Sequence, residues 1–309
     1  RWVMLEGDIE THGFEGAGEW IDNPSDDPRW ADAYLDRTMR AFERDKNHPS
    51  IMRWSLGNES GTGANLAACA RWIHERTGGR AVVHYEGDHA LEYTDIYSRM
   101  YPTLEEVAAV LDESDPHAEV AVPTHVAARV DDAARERIRR APYLMCEYLH
   151  AMGTGPGNAA GYAAQMEHPR HAGGFVWEWC DHAVLTGTSP DGRPVYLYGG
   201  DHGEAVHDGN FCVDGLVSPD RVPHPGLAEL KNVQRPARVV DYDQDTGLIT
   251  IRNDLDHTDL ARCIRISYEL RCDGDIVERG KLAMERPVPP HSQVVIPCAP
   301  RVPDAGRCH

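Results

Sequence analysis

Through residues 1–235, short apolar runs alternate with helical stretches, and most of the runs close on a polar or acidic residue. That alternation describes a parallel α/β domain. The runs Trp2–Ile9, Ile51–Asn58, Ala81–Glu86, Thr94–Met100, Tyr143–Glu147 and Gly174–Trp179 read as strands. Between the first two, Pro28 suits a first helical position, Leu35, Met39 and Phe42 recur on one helical face, and Asn47-His48-Pro49 stops the helix. The residues closing the runs are Glu10 and His12, Asn58 and Glu59, Glu86, Tyr101, Glu147, and Trp177 with Glu178. Functional groups gathered at the C-terminal ends of strands point to a (β/α)8 TIM barrel rather than an open doubly wound sheet. No dinucleotide fingerprint or phosphate-binding loop is present. A barrel takes eight strands and six are counted, so the first two βα units are expected upstream of Arg1.

From about Arg235 the pattern changes. Leu248–Ile251 and Cys263–Leu270 alternate around turns at Asp245-Thr246-Gly247 and Asp273-Gly274-Asp275, which predicts an antiparallel, immunoglobulin-like β-sandwich over 236–309, expected to be incomplete. The barrel domain is assigned to 1–235.

Charge narrows the partners. A formal net charge of −19 opposes nucleic acid and anionic membrane surfaces, whereas a neutral sugar meets no such penalty. No apolar run reaches the roughly 20 residues that span a bilayer. Eight cysteines without zinc spacing read as reduced, mostly buried thiols. The chain starts Arg1-Trp2-Val3 without an initiator Met, so a missing leader carries no weight; the cytoplasm is the expected location.

Two segments carry chemistry. In Trp54-Ser55-Leu56-Gly57-Asn58-Glu59-Ser60-Gly61 a strand ends on an amide and a carboxyl, able to hold a hydroxyl and donate a proton side by side. Cys146-Glu147-Tyr148-Leu149-His150-Ala151-Met152-Gly153 places a second carboxylate at a later strand end. Glycoside hydrolysis needs such a pair: one group attacks the anomeric carbon, the other protonates the leaving oxygen and then activates water. Either Glu alone would read as an ion-paired surface residue.

Together the two segments resemble signatures of the β-galactosidases of glycoside hydrolase family two. The resemblance extends to Glu10-Thr11-His12-Gly13, Arg44–Ser50, Tyr85-Glu86-Gly87, Met100-Tyr101, Gly173–Trp179, Tyr198–Asp201 and Asn210–Leu216. It implies Glu59 as acid/base, Glu147 as the nucleophile of a retaining mechanism, and Tyr101 beside the nucleophile. It further implies Asn58 and His150 on sugar hydroxyls and Trp177 as an apolar floor for the galactose ring. A magnesium ion is implied at Glu10, His12 and Glu59, and a sodium ion at the Phe211 carbonyl and Asp214, where some members of the family have Asn. The partner so implied is a small saccharide, and the full-length protein a homo-oligomer.

Three rivals are weighed. Another family-two activity, β-glucuronidase or β-mannosidase, shares fold and carboxylates, but the Ser-Gly after Asn58-Glu59 and the His-Ala-Met-Gly after Leu149 favour the galactosidase. A non-catalytic carbohydrate-binding fragment gains from the strands not found here. A metal-dependent hydrolase built on Glu10 and His12 predicts that chelation abolishes activity. Glu86 is a strand-end residue able to back the site from behind, with no role in the chemistry assigned to it; His48, His84, His89 and His224 have no partner visible in the sequence and read as structural or exposed.

Overall fold

A computed structural model describes residues 2–12, 22–112, 114 and 130–303. It divides into two compact units between Glu229 and Leu230.

The first unit is mixed α/β. Six parallel strands occupy the expected places: β1 (Val3–Glu6), β2 (Ile51–Ser55), β3 (Val83–His84), β4 (Tyr97–Met100), β5 (Tyr143–Tyr148) and β6 (His171–Val176). They pair in chain order as two three-stranded sheets, β1-β2-β3 and β4-β5-β6. No ladder joins β3 to β4, but the Asp95 amide donates to the Val83 carbonyl at 2.9 Å, and the Val83 amide donates to the Asp95 carboxylate at 2.7 Å. The two sheets share an interior. Met4 of β1 and Ala172 of β6 pack against a buried cluster of Ile96, Leu144 and Cys146, and the Arg53 guanidinium of β2 donates to the Ala172 carbonyl at 3.1 Å.

β5 is largely enclosed, with five of its six residues buried and Glu147 the exception. A strand covered on both faces reads as a continuous apolar run, which is why Tyr143–Cys146 shows no alternation. β6 begins three residues before the expected Gly174, at His171.

Helices fill the crossovers: α1 (Ala31–Asp45), α2 (Ala64–Thr77), α3 (Leu104–Leu111), α4 (Asp132–Arg140) and α5 (Ala159–Gln165). Pro28 does open a helical segment, a 3-10 turn capped by Asp27. The stripe that α1 buries is Tyr34, Thr38 and Phe42 rather than Leu35, Met39 and Phe42. The Tyr34 hydroxyl bonds Ser25 Oγ at 3.0 Å, so a polar-tipped face turns inward and Met39 outward. Phe42 packs at a tilt against Trp54 of β2 with ring centroids 4.5 Å apart and meets Trp72 of α2 edge-on at 5.6 Å. After β6 the chain forms an antiparallel hairpin, β7 (Val184–Thr188) and β8 (Pro194–Leu197), and then α6 (Pro225–Val233), inside which the units divide.

The second unit has two antiparallel sheets. β9 (Ala237–Asp243), β10 (Leu248–Asn253) and β13 (Gln293–Pro297) form one, in order β13-β10-β9. β11 (Ile266–Cys272) and β12 (Asp275–Leu282) form a hairpin closed at Asp273-Gly274. Ile251, Leu260, Val288 and Ile296 make a core onto which Ile266 and Leu282 of the hairpin pack. The strand expected from Cys263 starts only at Ile266, because Asp259 caps a short helix, α7 (Leu260–Cys263). Among the described residues six cysteines are free thiols, whereas Cys272 departs from that expectation and is disulfide-bonded.

Candidate active site

Within each sheet the strands are parallel, so their C-terminal ends deliver side chains to one edge of that sheet. β1 leads into Glu10 and His12, β2 into Asn58 and Glu59, β4 into Tyr101, and β6 into Trp177, while Glu147 is the penultimate residue of β5. Beyond β1 and β2 the strands stay in register long enough for Glu10 and Asn58 to form an isolated bridge. Gly57 permits this, since a Cβ there would lie 2.4 Å from the Ile9 carbonyl oxygen. Asn58 Nδ2 donates to Glu10 Oε1 at 3.2 Å, and His12 Nε2 lies 2.8 Å from Glu59 Oε2.

Glu147 forms the second half. Its carboxylate accepts a short hydrogen bond from the Tyr101 hydroxyl. Burial raises its pKa to about 7; the Tyr101 bond opposes that shift, and repulsion from Glu59, Glu6 and Glu10 adds to it. Burial, the bond to Glu147 and the charge of that carboxylate raise the Tyr101 phenol too. The Tyr101 ring lies 5.3 Å from the His150 ring, whose other neighbour is Phe211, edge-on at 6.4 Å.

His150 Nε2 is 3.9 Å from Asp214 Oδ2, the oxygen to which the Trp177 indole N–H donates at 3.1 Å. Glu178 is raised to about 7, by burial first and then by its hydrogen bond with Asp214. All ten residues singled out in the sequence therefore fall into two linked groups, Glu10, His12, Asn58 and Glu59, and Tyr101, Glu147, His150, Trp177, Phe211 and Asp214. The repulsion between Glu59 and Glu147 connects the groups.

The metal expectations meet different surroundings. Asp214 is 1% exposed, and among the described residues its Oδ1 has no hydrogen-bond partner. A buried carboxylate oxygen left bare fits a hard cation, because otherwise its desolvation is uncompensated. Glu10, His12 and Glu59 offer two carboxylates and an imidazole at one corner, a donor set suited to magnesium with several waters retained. Among the described residues no three His, Cys, Asp or Glu side chains already stand in a ligating cluster, and His12 engages Glu59 directly.

Sequence reasoning missed several contacts. The buried Glu86 accepts the Glu59 amide at 2.6 Å. His84 is buried between Ser55 Oγ at 2.9 Å and Ser98 Oγ at 2.8 Å, and burial, with the Arg53 charge adding to it, lowers its pKa to about 3. His224 pairs with Asp181 at 2.8 Å. That pair lines a cavity of about 470 Å³ with Gly153, Pro156, Tyr198 and Asn210; neither Glu59 nor Glu147 lines it. These partners lie 14 to 43 residues away in the chain, and no local pattern announces them.

The family profile described as "Glycosyl hydrolases family 2, TIM barrel domain" matches residues 1–239. The chain belongs to glycosyl hydrolase family 2. Curated relatives agree. A β-galactosidase of Arthrobacter sp. (strain B7) is 46% identical over 288 residues, 92% of this chain and 27% of the relative. One from Actinobacillus pleuropneumoniae is 44% identical over 88% of this chain and 24% of its own length. One from Staphylococcus xylosus is 40% identical over 82% and 24%. The chain thus spans about a quarter of the length of these relatives. Among solved structures, a Bacteroides uniformis β-glucuronidase aligns over 92% of this chain and 36% of its own, at 15% identity and a TM-score of 0.40. Among the described residues no helix is long and apolar enough to cross a membrane.

Proposed function

We propose that this chain carries the catalytic centre of a retaining β-galactosidase, which removes terminal non-reducing β-D-galactose from galactosides such as lactose. The observation that carries the reading is Glu147, held by Tyr101 at the end of β5 and close enough to Glu59 for the two carboxylates to repel. The β-galactosidase names of relatives 40–46% identical support the substrate. The barrel is read as completed by two further βα units, and the second unit as an immunoglobulin-like sandwich.

In the proposed reaction Glu147, ionised, attacks the anomeric carbon as Glu59 gives its proton to the departing glycosidic oxygen. The galactosyl ester on Glu147 forms and the aglycone leaves as an alcohol. Glu59, now a carboxylate, takes a proton from water, whose oxygen attacks the same carbon and frees Glu147. Two inversions return the β configuration. Tyr101 stabilises the carboxylate that leaves and returns. Asn58 and His150 bind sugar hydroxyls and Trp177 lies against the ring. Magnesium held by Glu10, His12 and Glu59, and sodium by the Phe211 carbonyl and Asp214, would supply fixed positive charge that orients Glu59 and the substrate.

The test is hydrolysis of a chromogenic aryl β-galactoside, with magnesium and sodium present and an aryl β-glucuronide alongside. The 309 residues alone are compared with the product of the longest reading frame that contains them. Turnover of the galactoside by the latter, lost in Glu147→Gln, is expected, with little or none from the 309 residues alone. Turnover that survives Glu147→Gln, or preference for the glucuronide, would overturn the reading.

A further inference from the structure

Glu59 occupies a backbone conformation that L residues avoid, at φ 40°. A non-glycine residue there costs on the order of 1 kcal/mol and persists only where its surroundings impose it. The surroundings are two consecutive residues just past β3. Glu86 Oε1 accepts the Glu59 amide at 2.6 Å. The Tyr85 hydroxyl accepts the Ser60 amide at 2.9 Å and donates to the Gly61 carbonyl at 2.6 Å. Both side chains are almost fully buried. Gly87 lets the two segments approach, since a Cβ there would stand 2.4 Å from the Gly61 carbonyl oxygen. From the other side Ser60 Oγ donates to the Asn58 carbonyl at 2.7 Å and accepts the Thr11 amide at 2.7 Å.

Of these contacts only that of Glu86 reaches the backbone of Glu59 itself. A carboxylate accepting an amide makes a charge-assisted bond, among the stronger kinds available. We propose that Glu86 is a positioning residue for the acid/base: it holds the Glu59 backbone in the left-handed turn that aims the Glu59 carboxyl at the glycosidic oxygen. This rests on the reading of Glu59 as acid/base.

Proton donation matters in proportion to how poor the leaving group is. A misplaced acid is therefore felt on alkyl galactosides and hardly at all on dinitrophenyl galactoside in kcat/KM, which reports formation of the galactosyl ester. A displacement of about 1 Å costs on the order of 100-fold. Glu86→Ala and Glu86→Gln are made in the product of the longest reading frame containing this chain. For Glu86→Ala the expected result is a fall of roughly 10- to 100-fold in kcat/KM on methyl β-galactoside against less than about threefold on 2,4-dinitrophenyl β-galactoside. Glu86→Gln keeps an acceptor oxygen and should recover most of the difference. Equal losses on both substrates, the signature of a merely weakened fold, would overturn the proposal, as would a Gln variant no better than Ala. Amide hydrogen exchange gives a readout without turnover: the Glu59 amide is protected in the parent and in Glu86→Gln, and exposed in Glu86→Ala. A parent inactive on both galactosides sinks the function proposed above. The role of Glu86 is then decided by exchange alone, and an unprotected Glu59 amide in the parent refutes it.

Discussion

Replacing Tyr101 by Phe removes one oxygen and should move the pH dependence of the reaction upward. In the proposed mechanism Glu147 must be ionised to attack, and burial already lifts its pKa to about 7 against the pull of the Tyr101 hydrogen bond. That bond favours the carboxylate, so losing it favours the proton. A hydrogen bond to a charged group contributes about 1.5–3 kcal/mol, and 1.36 kcal/mol corresponds to one pK unit, so the expected rise is about 1–2 units. At pH 7 the ionised fraction would fall from roughly half to somewhere between about 1% and 10%. The assay is kcat/KM for an aryl β-galactoside between pH 5 and 10, whose acid limb reports the free enzyme's nucleophile. Activity is present above that limb and lost as pH falls through it. The limb should lie near 7 in the parent and about 1–2 units higher in Tyr101→Phe. Its height will also drop if Tyr101 acts beside the nucleophile as proposed, so position is the diagnostic. An acid limb unmoved, or moved to lower pH, would refute the account of the Glu147–Tyr101 pair.

Under the proposed mechanism, in which Glu59 and Glu147 perform the chemistry, chelation of divalent ions should lower the galactosidase activity without abolishing it; complete loss, restored by added metal, would favour a metal-dependent hydrolase. Asp88, 4% exposed, accepts the amides of Glu92, Tyr93 and Thr94 at 2.8–2.9 Å and the Thr94 hydroxyl at 2.8 Å. Asp88→Ala leaves those donors without their acceptor and should cost about 3 kcal/mol or more of stability in urea unfolding, whereas a loss below about 1 kcal/mol would show the loop held by other contacts.

The order of strands and the strand-end positions of the candidate residues were legible because both are written locally. An apolar run closed by Asn58-Glu59 or Glu147 announces a strand end, and parallel strands carry their ends to one side whatever the packing. Where the reading slipped, a distant contact outweighed the local signal. The face of α1 turned to Tyr34 because its hydroxyl finds Ser25. The strand expected at Cys263 gave way to a helix capped by Asp259, whose carboxylate also accepts the Val288 amide at 2.9 Å.

By itself the sequence determined which residues stand at the strand ends and, through its resemblance, the family to which the chain belongs. Only the tertiary structure decided their partners. Glu86 reaches Glu59 across 27 residues of chain, Tyr101 reaches Glu147 across 46, and Trp177 reaches Asp214 across 37. The raised pKa of Glu147 arises likewise, from burial and from carboxylates on β1 and past β2. Such terms depend on distance through space and on exclusion of water, and neither is encoded in the spacing of residues along a chain.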